Sequence, residues 1–550
     1  MTQPIADVAP VQMDHRARME ILGAILLTMF LSALDQTIVG TALPRIVTDL
    51  DGNSLYVWVV TVYLLAATIT GPIYGKLSDL FGRRPIMMIG VSLFLIGSLL
   101  CGLSQEMWQL ILFRGIQGLG AGAIFPISLA VIGDLFSPRE RGRYQGLFGG
   151  VFALSSIIGP ALGGFLTDSL SWHWVFLVNL PLGIVALFVL WRLLPPIRHP
   201  ERVISIDYLG AAVFAAALIP LLIGLTNKQF SEWSDPLVGG LIAVGLLLSA
   251  VFVWVESRAA EPILPLELFR NRTVTGSIIG TFLITFGFFG AIIFIPRWFQ
   301  SVLGSSATES GYQMLPLMVG VIGSSIGSGL IVARTGRYKW MTVGAIALSS
   351  IGLYFMTGIT ADTPVALVWL WMFIAGLGIG PSFAIFTTIV QSAVAPRMLG
   401  AATSSLTFFR QVGGSVGLAI AGTIFGSSFS TEVPRQLASH GVPQPIIDGF
   451  AAAGPDGQAN LTNVGVDLGQ QILSSVPEAA RSAVEPFIGQ IVTAIHQAFS
   501  LSIAATMWVA VFAAIAAAAV VAVLVPELEL RGRSAPESEQ APGSAVPITE

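Results

Sequence analysis

GKLSDLFGRR, residues 75 to 84, has a degenerate second copy in GLIVARTGRY at 329 to 338, so that Gly75, Gly82 and Arg83 return 254 residues later as Gly329, Gly336 and Arg337. Other pieces repeat at nearby offsets: ALPRI around Pro44 with FIPRW around Pro296, GLGAG from Gly118 with GLGIG from Gly376, and PRERG from Pro138 with PRMLG from Pro396. The pieces keep the same order in both copies, which means two parallel halves of like fold.

Composition says what the halves are made of. Of 550 residues, 54% are hydrophobic and 11% charged. The apolar residues come in long runs rather than at amphipathic spacing, which makes the chain a polytopic membrane protein. Runs of roughly 20 apolar residues bounded by charges, Pro or Gly fall near 20–43, 56–76, 86–104, 108–134, 144–167, 174–194, 207–227, 236–256, 274–298, 311–333, 341–359, 364–391, 398–426 and 500–525. Spans 1 to 6 then correspond to spans 9 to 14, with spans 7 and 8 inserted between them. The expected fold is an all-α polytopic membrane protein of fourteen transmembrane helices, two six-helix pseudo-symmetric bundles plus two inserted helices. Its divisions are a cytoplasmic N-terminus (1–19), a first bundle (20–194), a linker with inserted helices 7 and 8 (195–273), helices 9 to 13 of the second bundle (274–426), an extracytoplasmic loop (427–499), helix 14 (500–525) and a disordered cytoplasmic tail (526–550). The polar N-terminus lacks the cationic start and cleavage site of a signal peptide, so helix 1 reads as retained.

Basic residues set the orientation. With the N-terminus inside, 20 of the 27 Lys and Arg lie on the cytoplasmic side and five outside (Arg45, Lys228, Arg297, Arg435, Arg481), while Arg114 and Arg410 fall within spans. That asymmetry places both termini in the cytoplasm, and adding or removing one span would spoil it.

Several chemistries are excluded or unsupported. One cysteine, Cys101, permits no intramolecular disulfide, and five scattered histidines give no metal-ligand spacing. GPIYGK at 71 to 76 has the wrong spacing for a phosphate loop, and Leu77 follows its lysine. No cofactor, metal or nucleic-acid partner is expected, nor an enzyme. Energy must come from an ion gradient or from the substrate.

The remaining signal is charge inside the membrane. Asp35, in LDQTIVG, lies some 15 residues or ~22 Å into helix 1, and Arg114 lies about six residues or ~9 Å into helix 4 from the outer end. Both sit at a similar depth in the outer half, so an ion pair across the first bundle is possible. A charge at that depth costs roughly 2.5 kcal/mol or more unless it is paired or wetted. Burial raises an aspartate's proton affinity and a nearby arginine lowers it, so a change of exposure or pairing would move Asp35 between binding and releasing a proton. A permanently ionised structural pair is the plainer alternative. Arg410 is the one such charge in the second half, suited to an interbundle contact, an anionic substrate group or a carbonyl. Gln36, Tyr63, Gln117, Phe286, Gln300, Gln391, Phe408, Phe409 and Gln411 supply amide and aromatic groups on helices expected to line a cavity, although aromatics at helical spacing also serve packing.

At this point the sequence is identified as similar to a known family. GKLSDLFGRRP (75–85) resembles the loop signature between helices 2 and 3 of the major facilitator superfamily, RGIQGLGAG (114–122) its helix 4 motif, and GPALGG (159–164) the helix 5 motif of its exporter branch. With LDQTIVGTALP (34–44) and WHWVFLVNLPLG (172–183), the order of motifs resembles the fourteen-helix drug/proton antiporter family over nearly the whole chain. Gly40 departs from that group, which often has Asn there.

The resemblance implies a proton-coupled exporter of lipophilic or cationic drugs working by alternating access as a monomer, with small lipophilic substrates, protons and membrane lipids as partners and a bacterial inner membrane as its setting. The physical reading above makes Asp35 the proton-coupling acid with Arg114 as its partner; the resemblance implies that Asp79, Arg83 and Asp134 form a cytoplasmic charge latch, and that a kink at Gly159, Pro160, Gly163 and Gly164 favours export. Without it, Arg83 and Arg84 need only set topology, and the helix 5 glycines need only permit close packing. Ala333 stands where Asp79 would recur, so the latch is expected to be asymmetric. Export or flipping of an endogenous lipid or envelope component shares the fold, and a non-transporting receptor or a channel is the alternative of another class. The loop 427–499, with six acidic and two basic residues, carries weakly amphipathic stretches that suit a cap on the membrane surface or over the cavity mouth.

Overall fold

The computed structural model describes residues 14–50, 55–195, 207–228, 231–452, 468–475, 481 and 484–527. Expectations for residues 1–13, for Arg198, Arg202, Arg531 and Arg533 and for the tail beyond 527 lie outside these. Among the described residues there is no strand, and thirteen helices are long and apolar enough to cross a membrane. In chain order the long helices are α1 (His15–Asp49), α2 (Tyr56–Phe81), α3 (Arg83–Cys101), α4 (Met107–Leu135), α5 (Pro138–Ser169) and α6 (His173–Leu193). Then come α7 (Tyr208–Asn227), α8 (Pro236–Glu256), α9 (Arg272–Ser301), α10 (Leu315–Thr335), α11 (Lys339–Met356), α12 (Val365–Ser392), α13 (Leu399–Ser439) and α14 (Ile488–Leu524). The expected fifth span, 144–167, lies inside α5, a 32-residue helix packed against α1, α10 and α12.

Each half has its own apolar core. Residues of α1 to α6, including Met29, Phe94, Ile124 and Leu190, close one. Residues of α9 to α14, including Ile278, Phe386 and Phe499, close the other. The helices are apolar nearly all round because lipid replaces water outside: Ile96, Phe188, Leu247 and Val523 are each at least half exposed. The inserted pair α7–α8 closes at Gly224 and Gly245 and leans on α2 and α13, where Phe214 sits between Phe252 and Phe408.

The repeat has a local cause that both halves share. The loop joining α2 to α3 turns at Gly82 (φ 96°, ψ 156°), and the loop joining α10 to α11 turns at Gly336 (φ 69°, ψ −3°). Side chains other than glycine's are disfavoured at positive φ, and the region of Gly82 is essentially closed to them. The matched glycines are therefore the hinge of each copy.

Past residue 426, α13 runs on to Ser439, and α14 already begins at Ile488, within AVEPFIGQIVTAIHQAF (483–499). Their apolar faces find each other first, with Phe429 stacked on Phe425 and both meeting Phe499 edge-on, so the helices continue as a pair outside the expected spans. Leu468–Ser475 is a short separate helix. Asn460 lies outside the described residues.

Candidate functional site

Asp35 is fully buried at the centre of a polar cluster built by five helices of the first half. The α4 residues Arg114 and Gln117, three apart and so on one face, both reach it: Arg114 Nη1 donates at 2.5 Å and Gln117 Nε2 at 2.8 Å. Asn179 Nδ2, where α6 resumes after a turn at Val178, donates at 3.2 Å. Ser98 of α3 accepts from both amides, at 3.2 and 3.0 Å, and donates to Phe176 O. Three donors converge on this one carboxyl group and offset its desolvation.

Arg114 has further partners that do not depend on Asp35. Its Nε donates to Val59 O at 3.2 Å, its Nη1 to Gln117 Oε1 at 2.8 Å, and its guanidinium carbon lies 4.1 Å from the centre of the Tyr63 ring. Tyr63 is itself held by Ser32, hydroxyl to hydroxyl at 3.2 Å. The cation would keep these contacts if the carboxylate were neutralised.

A second set of polar contacts joins the halves at the end that carries the α2–α3 loop. Arg83, wholly buried, sits between Asp79 (Nη1 to Oδ1, 2.5 Å) and Asp134 (Nε to Oδ2, 2.8 Å). Asp79 also accepts from the backbone N–H groups of Gly400 (2.9 Å) and Ala401 (2.8 Å), which open α13 in the other half. These N–H groups have no partner within their helix, and the helix dipole favours a carboxylate there. The approach is so close that a methyl group on Gly400 would stand 2.5 Å from Arg83 Nη1 and from Gly75 O. Beside it, Gln145 of α5 donates to Gln391 Oε1 (2.8 Å) and accepts from Thr388 (2.7 Å), while Gln391 donates to Leu129 O (2.9 Å) and Thr403 (3.2 Å). These contacts hold the two halves together at this end. In the second half Ala333 offers no carboxylate, and the loop is tied instead by Tyr338, whose N–H reaches Glu527 and whose hydroxyl reaches Pro526 O.

The other candidates are dispersed. Gln36 is exposed beside Asp35, and Phe286, Gln300, Phe409, Arg410 and Gln411 are half-buried. Arg410 lies 4.7 Å from the Phe383 ring centre with Nη2 unpartnered. Gln300 is taken up by Ser310 at 2.6 Å. Phe408 is buried against Phe214 of the inserted pair, and Gln391 belongs to the contact between the halves. Gly159 is packed on Thr37, two residues past Asp35, and Thr37 donates to Ser155 O at 2.9 Å. Gly163 is buried in α5 and Gly164 has open space around it, while the Pro160 side chain lies outside the described set. Asn179, Ser98, Gln145 and Thr388 were not singled out from sequence, although Asn179 and Gln145 are amides at the edge of apolar runs and open to the reasoning that found Asp35.

The sequence model of the Major Facilitator Superfamily matches residues 25–418, which include both copies of the loop and the whole Asp35 cluster. The chain belongs to the Major Facilitator Superfamily. This member is 35% identical to the multidrug transporter protein MdtP of Bacillus subtilis, over 96% of each chain, and 40% identical to multidrug resistance protein 3 of the same organism, over 75% of this chain and 80% of that one. Its fold matches that of the superfamily's proton:xylose symporter XylE with a TM-score of 0.57 at 15% identity, covering 94% of this chain and 98% of that one. The superfamily consists of transporters, so the protein is a multi-pass membrane transporter and not an enzyme.

Proposed function

We propose that the protein exports lipophilic or cationic compounds, drugs among them, from the cell in exchange for protons, by alternating access of a cavity between its two halves. Drug export is supported by the names and near full-length similarity of the two Bacillus relatives. Proton exchange is supported by one observation: the only acid at the centre of the first half, among the described residues of α1 to α6, is Asp35, and its arginine partner has other contacts to fall back on. Protonation of Asp35 would release the 2.5 Å contact while Arg114 stays with Val59, Gln117 and Tyr63. That loosens α1 against α4 at the turn where Gly159 of α5 packs.

In this reading the Asp79–Arg83–Asp134 group and the Gln145–Gln391 contact hold the cytoplasm-closed state, and the helix 5 motif carries the motion of α1 to α5 and so to α10. Arg410 and Gln411 of α13, with Gln36 and Phe286, face the substrate. The protein acts as a monomer in the cell membrane with both termini inside, and the divisions at 195–273 and 427–499 separate the moving halves from the insertion and the outer loop. One proton entering down ~100 mV supplies about 2.3 kcal/mol and each pH unit about 1.4, enough together for a several-hundredfold gradient of a neutral solute. The test is uptake of a fluorescent lipophilic cation into inverted vesicles with an acid interior. Uptake that collapses with the proton gradient is expected, and uptake indifferent to it removes the antiport reading. Transport confined to one long-chain lipid would replace drug export by lipid export.

A further inference from the structure

A second carboxyl site lies apart from both contacts above, at the cytoplasmic foot of the inserted pair. Glu256, the last residue of α8, is 2% exposed, and neither of its carboxyl oxygens has a hydrogen-bond partner of standard geometry, although the amides of Ile263 and Leu264 face it. Asp207 caps α7, accepting from Gly210 N at 2.7 Å through Oδ1, while its buried Oδ2 has no partner. The two carboxyl groups meet over the bare Cα of Gly210: a methyl group there would overlap Asp207 Oδ2 and come within 3.0 Å of Glu256 Oε1. The cation acting on Glu256 among the described residues, Lys76 of α2, is already paired with Glu261 at 2.7 Å, both nearly buried. Arg258 is turned away onto the Trp254 ring.

Among the described residues, three carboxyl groups thus share one ammonium group in a largely dry place. With all of them ionised, two negative charges would go uncompensated, and no third ligand among the described residues completes a metal site. The helix ends decide which group gives way. Asp207 is at a helix N-terminus, where the dipole favours a carboxylate, and Glu256 is at a C-terminus, where it opposes one. We infer that Asp207 and Glu256 together bind one proton, carried on Glu256 and shared with Asp207 Oδ2, as a second protonation site that fastens the inserted pair to the first half. Gly210 supplies the space in which the two oxygens meet. Loss of that proton leaves like charges facing each other and draws Lys76 away from Glu261, loosening α7–α8 from α2.

The experiment is infrared difference spectroscopy of the full-length protein in lipid nanodiscs, stepped between about pH 5 and 8, on wild type, Glu256→Gln, Gly210→Ala and Asp35→Asn. The inference expects a protonated-carboxyl carbonyl band that disappears as pH rises in wild type and in Asp35→Asn, and that is absent in Glu256→Gln. In Gly210→Ala the added methyl separates the carboxyl groups, and the band is expected to disappear at lower pH. The same series by thermal melting expects wild type to lose apparent stability as pH rises, because the folded chain gives up a proton that the unfolded chain has already released, and Glu256→Gln to be flat. A band that survives in Glu256→Gln, or that vanishes only in Asp35→Asn, overturns the inference. Were Glu256→Gln not to fold, an unshifted titration in Gly210→Ala would overturn it equally.

Discussion

Replacing Asp79 by Asn isolates the contact proposed to close the cytoplasmic side. Asparagine keeps the shape and one acceptor oxygen, so one of the bonds from Gly400 N and Ala401 N survives without its charge and the other is lost. A hydrogen bond to a charged group is worth ~1.5–3 kcal/mol and a carboxylate at a helix N-terminus ~0.3–1. The substitution therefore removes roughly 2–4 kcal/mol from the closed state, which at 1.4 kcal/mol per tenfold is a shift of ~30 to 700-fold. A resting mixture of about 100:1 in favour of the closed state would become anything from about 3:1 closed to about 1:7. Arg83 keeps Asp134 at 2.8 Å, so the first half is not left with an unpaired buried cation. The assay is pulsed electron paramagnetic resonance between spin labels at Arg143→Cys on α5 and Arg334→Cys on α10, both exposed and one in each half, in a Cys101→Ser background. Asp79→Asn is expected to add a long-distance population that wild type lacks. An unchanged distance distribution would refute the idea that the Asp79 contact holds the halves together.

Gln391→Leu strands Gln145 and the Leu129 carbonyl, so the same labels are expected to report a smaller shift in the same direction. Arg114→Ala leaves a buried Asp35 with two amide donors only and is expected to destabilise by about 3–5 kcal/mol. Asp35→Asn, which leaves Arg114 its other partners, should lower the apparent melting temperature less, and the double variant less than the sum. At the two hinges asparagine separates the conformations: Gly82→Asn is expected to cost ~1–3 kcal/mol by thermal melting, whereas Gly336→Asn, in a left-handed region that asparagine tolerates, should be nearly neutral.

How far the sequence could be read depended on the kind of force involved. The lipid-spanning helices follow from hydrophobic length alone, and the repeat marks Gly82 and Gly336 because both turns need a positive φ, which glycine adopts at no steric cost. Asp35 and Arg114 stand out because a charge in lipid needs a reason, and their similar depth is visible from helix rise. Ser98 and Asn179 do not stand out, since small polar groups are tolerated in membrane helices and only the packing shows that they converge on Asp35. The partners of Gln391 and Phe408 are hidden for a related reason: periodicity tells which helix a residue is on but not which neighbour its face meets. The full lengths of α13 and α14 are not legible either, because weak amphipathicity looks the same whether it meets lipid headgroups or another helix.

The most direct test of the central claim compares two modes of transport in one variant. In proteoliposomes, wild type should accumulate a lipophilic cation when a pH gradient is imposed and should also exchange labelled for unlabelled substrate without a gradient. Asp35→Asn, fixed in the protonated-like form with Arg114 still held by Val59, Gln117 and Tyr63, is expected to keep substrate exchange and to lose gradient-driven accumulation. Gradient-driven accumulation that persists in Asp35→Asn would contradict the account and move the coupling proton to another residue.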